Sequence, residues 1–276
     1  MKYIKSPLNY TGGKYKLLND ILPLFPNDIR VFVDLFGGGF NIGINVDSKF
    51  VIYNDIESHV VELMKYLYTH DTNDLLCEIQ CIIDKYSLSK TNAEGFNELR
   101  DYYNKENQSP IVFYTMICYA FNNQIRFNKN GEYNMPFGKN RSSFNPALKD
   151  KFITFVNELH NKNCKFTNYS FDEFDFSNLN QSDFVYCDPP YYNSTATYNE
   201  NGGWTEKDEI NLLCTLNELD SKNIMFALSN NLKYGNDILN EWMQKYNVHY
   251  LNANYTNCNY HKINKDKDIE VFITNY

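Results

Sequence analysis

The feature that most constrains the fold is a short apolar strand that runs directly into a glycine-rich turn. Residues 31–35 have the continuous apolar character of a buried strand, and the Phe-Gly-Gly-Gly-Phe run at 36–40 follows at once. A second apolar strand at 50–53 leads into helical spacing over residues 56–68. Strands that alternate with helices predict an α/β sheet.

The middle of the chain differs, since residues 72–121 carry no strand pattern. Apolar residues at helical spacing predict three helices there, at 73–86, 93–106 and 110–121. A long polar segment, 122–146, follows them, and loops of this length in compact domains are usually functional or disordered. We therefore predict a helical and loop-rich insertion.

Alternating strands and helices return in the last part of the chain. The predicted strands lie at 165–168, 183–187, 224–229, 248–251 and 269–274, and the predicted helices lie at 205–219 and 235–246. The fold class predicted for the whole chain is α/β. One domain is built from residues 1–60 and 161–276, and a mostly helical domain, 61–160, is inserted into it.

Composition indicates the setting in which the chain works. Its 276 residues are 43 % hydrophobic, enough for a large core, whereas the most apolar stretch, 111–121, is far shorter than the roughly 20 residues of a membrane helix. The amino terminus lacks the apolar run of a signal peptide, and seven cysteines without a Cys-x-x-Cys pair favour reduced thiols. We expect a soluble cytoplasmic protein that needs no membrane, metal or obligate protein partner, with Cys77 and Cys81 in its core.

The formal net charge of −8 argues against a protein that binds nucleic acid over its whole surface. The segment 122–151 departs from this acidic balance, because six basic residues and two acidic ones give it a net charge of +4. The six are Arg126, Lys129, Lys139, Arg141, Lys149 and Lys151. A solvated loop and a local nucleic-acid surface both fit this charge.

The most specific chemical signal is Asp188-Pro189-Pro190-Tyr191, directly after the apolar strand at 183–187. Ligands of open α/β sheets bind beyond the carboxyl ends of strands. Two prolines fix their φ angles, so the loop is stiff and the Pro189 carbonyl has a set direction. A carboxylate and a carbonyl can accept two hydrogen bonds from one NH₂ group, and the tyrosine ring offers a stacking face. These four residues predict an amine cradle for a flat base.

The glycine-rich turn at 36–40 and Asp55, at the end of the next strand, are placed as in nucleotide-binding folds. There, glycines let the backbone approach a ligand and an acid binds ribose. The dinucleotide fingerprint is absent, because the pattern that begins at Gly37 needs glycine or alanine where Ile42 stands. A nucleoside cofactor without a pyrophosphate fits better than NAD, and a tight structural turn is the alternative.

A third glycine-containing motif, Tyr10-Thr11-Gly12-Gly13-Lys14, opens a predicted helix at 14–24. It invites comparison with a P-loop, which places glycines and a lysine around phosphates. The P-loop pattern is absent, since no serine or threonine follows the lysine and position 8 is not glycine. Phosphate-cradling ATP chemistry is therefore disfavoured.

Taken in chain order, the motifs at 10–14, 32–39 and 188–191 resemble those of the Dam family of S-adenosylmethionine-dependent DNA adenine-N6 methyltransferases, most closely its bacteriophage members. The likeness extends to residues 121–126, 135–139 and 268–276. It implies a Rossmann-like class I methyltransferase sheet that binds S-adenosyl-L-methionine, with an inserted domain that recognises the DNA target. These two parts correspond to the two predicted domains.

The resemblance implies that the partner is double-stranded DNA. The residues carried over as cofactor contacts are Tyr10, Lys14, Asp34, Phe36, Gly37, Gly39, Asp55 and Asp188. The residues carried over as DNA contacts are Asn122, Asn123, Gln124, Arg126, Pro136, Lys139 and Arg141. Arg126 is expected to read a base edge, because its planar donors match guanine O6 and N7, whereas Lys139 and Arg141 are expected to contact phosphates.

The implied reaction is methyl transfer to adenine N6, within the sequence GATC. The base is flipped out, stacked on Tyr191 and hydrogen-bonded by Asp188 and the Pro189 carbonyl, so that its nitrogen attacks the methyl group directly. The chain departs from the family where Asn9 replaces a common basic residue that helps read the first base, and where Gln124 replaces an apolar one. The alternatives are an inactive DNA-binding regulator and an amino-group methyltransferase acting on cytosine N4 or a non-DNA substrate.

Overall fold

A single seven-stranded sheet organises the chain in a computed structural model that describes residues 3–193, 203–251 and 269–276. The strands are β1 (Ile29–Asp34), β2 (Ser48–Asn54), β3 (Cys164–Thr167), β4 (Phe184–Cys187), β5 (Met225–Asn231), β6 (Asn247–Leu251) and β7 (Glu270–Thr274). Their order in the sheet is β3-β2-β1-β4-β5-β7-β6. The first five in that order are parallel, and β7 runs antiparallel between β5 and β6. This is a Rossmann-like sheet, and its strand order reverses between β1 and β4.

The central strands read as continuous apolar runs because both faces of the sheet are covered. All four residues of β4 and all five of β7 are buried. Alternate side chains enter two different cores: Phe32 packs in the core on one face, whereas Val33 packs in the core on the other. The polar residues that interrupt this pattern at strand ends, Asp34 and Glu270 among them, are therefore exceptional.

Eight α-helices surround the sheet or extend from it in the described part of the chain. They are α1 (Leu18–Ile21), α2 (Ser58–Thr69), α3 (Thr72–Lys85), α4 (Ala93–Lys105), α5 (Pro110–Tyr119), α6 (Pro146–Asn161), α7 (Glu206–Ser221) and α8 (Asp237–Trp242). Several begin at a side-chain cap: Asp71, Asn92 and Asn145 each accept a hydrogen bond from a backbone N–H of the first turn. A Thr205–Asp208 capping box starts α7.

Helices α2 to α6 lie between β2 and β3 in the chain and form a bundle around α5. All nine residues of α5 from Ile111 onward are buried, which explains its uniform apolar character. The bundle joins the sheet through α2, which contacts β3. Helices therefore occupy the chain between β2 and β3, and the division into two domains stays a prediction.

The predicted strands are all confirmed, with ends shifted by at most two residues. The helix predicted at 14–24 is confirmed as α1 flanked by 3₁₀ turns at Lys14–Leu17 and Leu22–Leu24.

Two helix predictions need correction, and one helix was not predicted. The helix predicted at 110–121 ends at Tyr119, because the Asn123 side chain donates to the Ile117 and Cys118 carbonyls and closes the helix.

The helix predicted at 235–246 is α-helical only over Asp237–Trp242. Gly235 has a φ of +65° and Asn236 caps the helix, so the chain cannot turn helical earlier. Helix α6 was missed altogether. Its signal was present, since Asn145 precedes Pro146 and buried residues recur at helical spacing: Phe152, Phe155, Val156 and Leu159.

The expectation that Cys77 and Cys81 lie in the core is wrong, because both are exposed. The buried face of α3 carries Leu75 and Ile79 instead, and residues two positions away point elsewhere on a helix. Across the described ranges, no helix is long and apolar enough to cross a membrane.

Candidate active site

The centre of the site is an ion pair between residues far apart in the chain. The Lys14 ammonium donates to Asp188 Oδ1 at 2.6 Å and to Oδ2 at 2.7 Å, and also to the Gly12 carbonyl at 3.1 Å. The Lys14 side chain is 2 % exposed and that of Asp188 is 17 % exposed. A charge pair this shielded from water interacts strongly, so the lysine holds the carboxylate of the amine cradle in place.

Asp188 and Lys14 meet at the carboxyl end of β4. Asp188 directly follows β4, whereas Lys14 begins the 3₁₀ turn after two glycines. Gly12 adopts a φ of +76°, a conformation that glycine reaches without steric cost, and the Gly13 N–H closes the turn by donating to the Tyr10 carbonyl. The sequence therefore needs glycine at this point to aim the lysine at the sheet.

The cradle tyrosine is held by a residue that sequence reasoning missed. The Tyr191 hydroxyl donates to Glu270 Oε2 at 3.1 Å, while Asn231 Nδ2 donates to Glu270 Oε1 at 2.9 Å. The Lys14 ammonium lies 5.2 Å from the centroid of the Tyr191 ring. Glu270 is 2 % exposed, and the available signal was an acid at the start of an otherwise apolar strand.

Two predicted cofactor residues, Asp34 and Asp55, hold the glycine-rich turn together. The Gly38 N–H donates to Asp55 Oδ2 at 2.7 Å, and the Glu57 N–H donates to Asp55 Oδ1 at 2.8 Å. The Gly43 N–H donates to Asp34 Oδ2 at 3.1 Å. The acids thus have structural partners in the protein, and each carboxylate oxygen keeps a further lone pair for a ligand.

The glycines of this turn are required by internal packing. A Cβ at position 37 would lie 2.2 Å from the Tyr53 ring, and Gly38 has a φ of +47°. The Tyr10 ring packs against the turn, 3.0 Å from where a Cβ of residue 38 would stand. The structure therefore brings Tyr10, the glycine turn and Asp55 together. Gly37 has a packing role, and its role as a cofactor contact stays a prediction.

Burial and mutual repulsion raise the pKa values of the site's carboxyl groups. Burial raises the pKa of Asp34 to about 8, opposed by the Gly43 N–H and reinforced by Asp188 and Asp55. Burial raises the pKa of Asp55 to about 6, although backbone N–H groups oppose the shift. The pKa of Asp188 is raised by burial and pulled back by Lys14. Asp188 and Asp55 both lie within electrostatic reach of Asp34, so the site gathers several acids that can accept hydrogen bonds from a cationic ligand.

Apolar side chains lie beside this group of acids. Ile56, directly after Asp55, is 73 % exposed, which is unusual for isoleucine, and sequence reasoning did not single it out. The predicted cofactor residue Phe36 packs against Phe171 and Trp204, with ring centroids 5.7 and 5.8 Å away. An acid can bind the hydroxyl groups of a nucleoside, and apolar side chains can contact its flat ring. The two kinds of group lie side by side here, as a nucleoside site needs.

The predicted DNA residues lie on the loop between α5 and α6, and they divide into anchored and exposed side chains. Asn123 caps α5 and is committed to the fold. The Arg126 guanidinium donates to Asn134 through Nε (2.7 Å to Oδ1) and Nη2 (3.1 Å to the carbonyl). The Asn122 carbonyl accepts from Asn9 Nδ2 at 2.7 Å, which ties this loop to the motif at 10–14.

The remaining predicted DNA residues present an open surface. Pro136, Lys139 and Arg141 are exposed, and Gln124 is half-buried. The Arg141 guanidinium lies 5.3 Å from the centroid of the Phe121 ring, an aromatic ring that is 38 % exposed and that sequence reasoning did not select. We call the exposed group Phe121, Asn122, Pro136, Lys139 and Arg141 the loop surface.

Comparison with known proteins places the chain in a family. A sequence model of the D12 class N6 adenine-specific DNA methyltransferases matches residues 10–257. The chain belongs to this family, which confirms the Dam-family resemblance. The closer likeness to bacteriophage members stays a prediction.

The relatives differ in how much of their length the chain covers. It is 50 % identical over 281 residues to the type II methyltransferase M.FokI of Planomicrobium okeanokoites and 43 % identical over 284 residues to the modification methylase StsI of Streptococcus sanguinis. These matches cover 99 % and 100 % of this chain but 43 % of each relative, so the chain spans less than half their length. A DNA adenine methylase of Escherichia coli strain K12 is 26 % identical over 257 residues, covering 90 % of this chain and 87 % of that protein.

Proposed function

We propose that the chain transfers a methyl group from S-adenosyl-L-methionine to the N6 amine of adenine in double-stranded DNA. The observation that carries the proposal is the amine cradle: Asp188 follows β4 and is bound by Lys14, and Tyr191 stands beside it with its hydroxyl fixed. A carboxylate next to an oriented ring matches an amino group on a flat base. Membership of an adenine-specific family supports adenine over other such bases.

The acidic pocket supports S-adenosyl-L-methionine as the methyl donor, because that cofactor carries positive charge on its sulfonium and amino groups. Asp55 would bind the ribose hydroxyls, Ile56 and Phe36 would contact the adenine ring, and Asp34 with the glycine turn would line the pocket. When bound, the cofactor supplies an electrophilic methyl group. Gly39 and Tyr10 belong to the same wall of the pocket, since their atoms pack closely.

The protein's part in the reaction is to hold the amine and to stabilise the charge that develops on it. The N6 lone pair is delocalised into the ring, so hydrogen bonds to Asp188 and the Pro189 carbonyl are needed to make the nitrogen more tetrahedral. The carboxylate then stabilises the positive charge on that nitrogen as the new bond forms. Lys14 favours the ionised form of Asp188 that this role needs, because its charge opposes the effect of burial on the pKa.

Reaching the cradle requires the target adenine to leave the duplex, so the proposal includes base flipping. The cradle lies half-buried beyond the carboxyl end of β4. A base that is still stacked within the DNA duplex cannot enter it. The loop surface is tied to the segment that carries Lys14, because Asn9 donates to the Asn122 carbonyl. We propose that residues 61–160 form the DNA-recognition domain and that residues 1–60 and 161–276 form the catalytic domain.

Sequence recognition is assigned to the same loop. Arg126 reads a guanine edge from a guanidinium that Asn134 holds in place, while Lys139 and Arg141 contact phosphates. GATC, the target implied by the Dam family, is the finer part of the proposal. Asn9 argues for a different reading of the first base, because its amide is committed to Asn122 and carries no charge.

The names of the relatives support a biological setting. Two of them are called a type II methyltransferase and a modification methylase, which favours a role in restriction and modification. Since the proposed substrate is genomic DNA, the enzyme works in the cytoplasm of a bacterial or phage-infected cell.

The deciding experiment is expression in a host that lacks adenine methylation, followed by sequencing of its DNA with a method that detects modified bases. N6-methyladenine in one short motif, and its absence with Asp188→Ala, is the expected result. Methylation confined to GATC supports the full proposal, whereas another motif keeps the chemistry and overturns the target. Modified cytosine overturns the adenine assignment.

An unmodified genome in the presence of folded protein would favour the inactive DNA-binding regulator or a non-DNA substrate. Binding of S-adenosyl-L-methionine separates these two outcomes, because a pure DNA-binding module has no use for the cofactor.

A further inference from the structure

Glu270 is a buried carboxylate to which the family resemblance assigned no role in the site. It is the first residue of β7 and is 2 % exposed. Both of its oxygens accept hydrogen bonds from side chains, Oε2 from the Tyr191 hydroxyl at 3.1 Å and Oε1 from Asn231 at 2.9 Å. A buried carboxylate is costly unless it is paired in this way, so its presence calls for an explanation.

The sheet fixes the position of this carboxylate. Asn231, the last residue of β5, lies directly opposite Glu270 in the antiparallel ladder between β5 and β7. Side chains of directly opposed residues point to the same face, so the contact between their amide and carboxylate follows from the register. Leu251 of β6 lies opposite Glu270 on the other side. The acceptor for the Tyr191 hydroxyl is thus held from both neighbouring strands.

The tyrosine needs such an anchor. Pro189 and Pro190 stiffen the backbone before it, but they leave rotation about the Tyr191 side-chain bonds free. The hydroxyl contact removes that freedom at the far end of the ring. The angle of the ring determines where a stacked base places its amine relative to Asp188, and reaction rates fall steeply when reacting atoms are misplaced by about 1 Å.

We propose that Glu270 is a positioning residue of the methyl-transfer site, which fixes the Tyr191 ring on which the target base stacks. This inference rests on the proposed function. Glu270 lies within the electrostatic reach of Lys14 and Asp188 as well, so the same strand end contributes to the charge balance of the cradle. Its main role is geometric, because it touches the ring and not the reacting atoms.

The test is a double-mutant cycle in the full chain with Glu270→Met, Tyr191→Phe and the double variant. Methionine keeps the length of the side chain without an acceptor, and phenylalanine keeps the ring without the hydroxyl. Each single change is expected to lower kcat about tenfold while the KM for DNA and the Kd for the cofactor stay within about twofold. The double variant is expected to be about as slow as Tyr191→Phe alone, because Tyr191→Phe already removes the contact that Glu270→Met removes. The coupling between the two changes isolates this shared contact from the hydrogen bond that the Tyr191 hydroxyl also makes to Asp188.

Two further measurements separate positioning from stability. Glu270→Gln retains an acceptor oxygen and is expected to restore most of the rate. A duplex with 2-aminopurine at the target position is expected to fluoresce more brightly with Tyr191→Phe and Glu270→Met than with wild type, because looser stacking quenches less. Tyr66→Phe with Glu78→Met is the matched control, since the Tyr66 hydroxyl donates to Glu78 at 2.9 Å in helices α2 and α3.

Independent effects of the two single changes, or unchanged kcat in Tyr191→Phe, would overturn the inference. Tyr191→Phe also removes the hydrogen bond to Asp188, so the coupling between the two changes decides the question. Glu270→Leu takes the place of Glu270→Met in the cycle if the methionine variant does not fold. The failure of the proposed function looks different: in that case wild-type protein itself transfers no methyl group to DNA.

Discussion

The amine cradle and the loop surface differ in how firmly the protein holds them. In the cradle, Lys14, Asp188 and Tyr191 each contact a partner delivered by another part of the chain, and the Lys14 side chain is 2 % exposed. On the loop surface, Pro136 and Lys139 are exposed, without a sheet behind them. The part proposed to do the chemistry is held by contacts within the protein, whereas the part proposed to read DNA has exposed side chains.

The loop is nevertheless tied down at chosen points. The Arg100 guanidinium donates to the Met135 carbonyl at 3.2 Å, and Asn104 exchanges hydrogen bonds with the backbone of Tyr133 at 2.9 and 3.0 Å. These contacts fix the backbone of the loop to α4, and the side chains of Tyr133 and Met135 are buried whereas the neighbouring Pro136 is exposed. The difference teaches that changes in the cradle should slow methyl transfer at every DNA site, whereas changes on the loop should alter which sites are bound.

The largest effect is expected from Asp188→Ala. It removes the acceptor that stabilises the developing charge and leaves Lys14 buried without its partner, so kcat should fall by roughly 10²- to 10³-fold. Binding of duplex DNA should stay within about twofold, because that surface lies elsewhere. Single-turnover methylation and a DNA-binding titration measure the two quantities. A loss of DNA binding as large as the loss of rate would break the division between the regions.

Arg126→Ala is expected to act in the opposite way. Loss of a bidentate base contact costs about 1–3 kcal/mol of discrimination, so methylation should spread to sites that differ at one base pair while kcat at saturating DNA stays unchanged. Competition between cognate and altered duplexes measures this. Lys129→Ala, an exposed neighbour on the same loop, is the control and should leave discrimination intact. An equal loss of rate on all duplexes would contradict the role in base reading.

Lys14→Met tests the electrostatic effect of Lys14 on Asp188 in the cradle. Lys14 lowers the pKa of Asp188 against burial, so its loss raises that pKa further, and the carboxyl becomes protonated at a higher pH. Activity should fall about tenfold near neutral pH and recover as the pH rises, because only the ionised form accepts both hydrogen bonds. The acid limb of the pH–rate profile therefore moves to higher pH. An unshifted limb would show that Lys14 serves only to bind the cofactor.

Asp34→Asn is expected to change stability rather than specificity. The pKa of Asp34 is raised from 3.8 to about 8, so between these values the folded protein holds a proton that the unfolded chain has lost. The contribution of this proton to the free energy of unfolding is fully present below about pH 4. It is lost as the pH rises to about 8, with a slope of up to ~1.4 kcal/mol per pH unit. Asparagine still accepts from the Gly43 N–H and does not titrate.

The variant should therefore unfold at a higher temperature than wild type near pH 8, and its melting temperature should depend less on pH. Thermal unfolding of the two proteins from pH 5 to 9 measures this. Asp47→Asn, a change at an exposed carboxyl group, is the control. Identical pH dependence in wild type and Asp34→Asn would mean that the buried carboxyl does not titrate in this range.

Much of the fold followed from local patterns in the sequence. Apolar runs predicted all strands, because a parallel sheet covered on both faces needs continuous apolar residues. Helix α6 shows a limit of interpretation rather than of information, since a cap at Asn145 and a buried face at helical spacing were present. Cys77 shows a limit of information. This cysteine was assigned to the core, but the face of a helix that is buried depends on the elements that pack against it.

The sequence by itself determined the α/β order, the stiff Asp188-Pro189-Pro190-Tyr191 loop at a strand end and the basic loop between α5 and α6. Each depends on residues that are close in the chain, where periodicity, proline and glycine act directly on the backbone. Only the tertiary structure decided that Lys14 binds Asp188, that Tyr53 dictates glycine at position 37 and that Glu270 holds Tyr191. Those contacts join residues that the topology of the sheet brings together, and no local pattern records which distant side chains will meet.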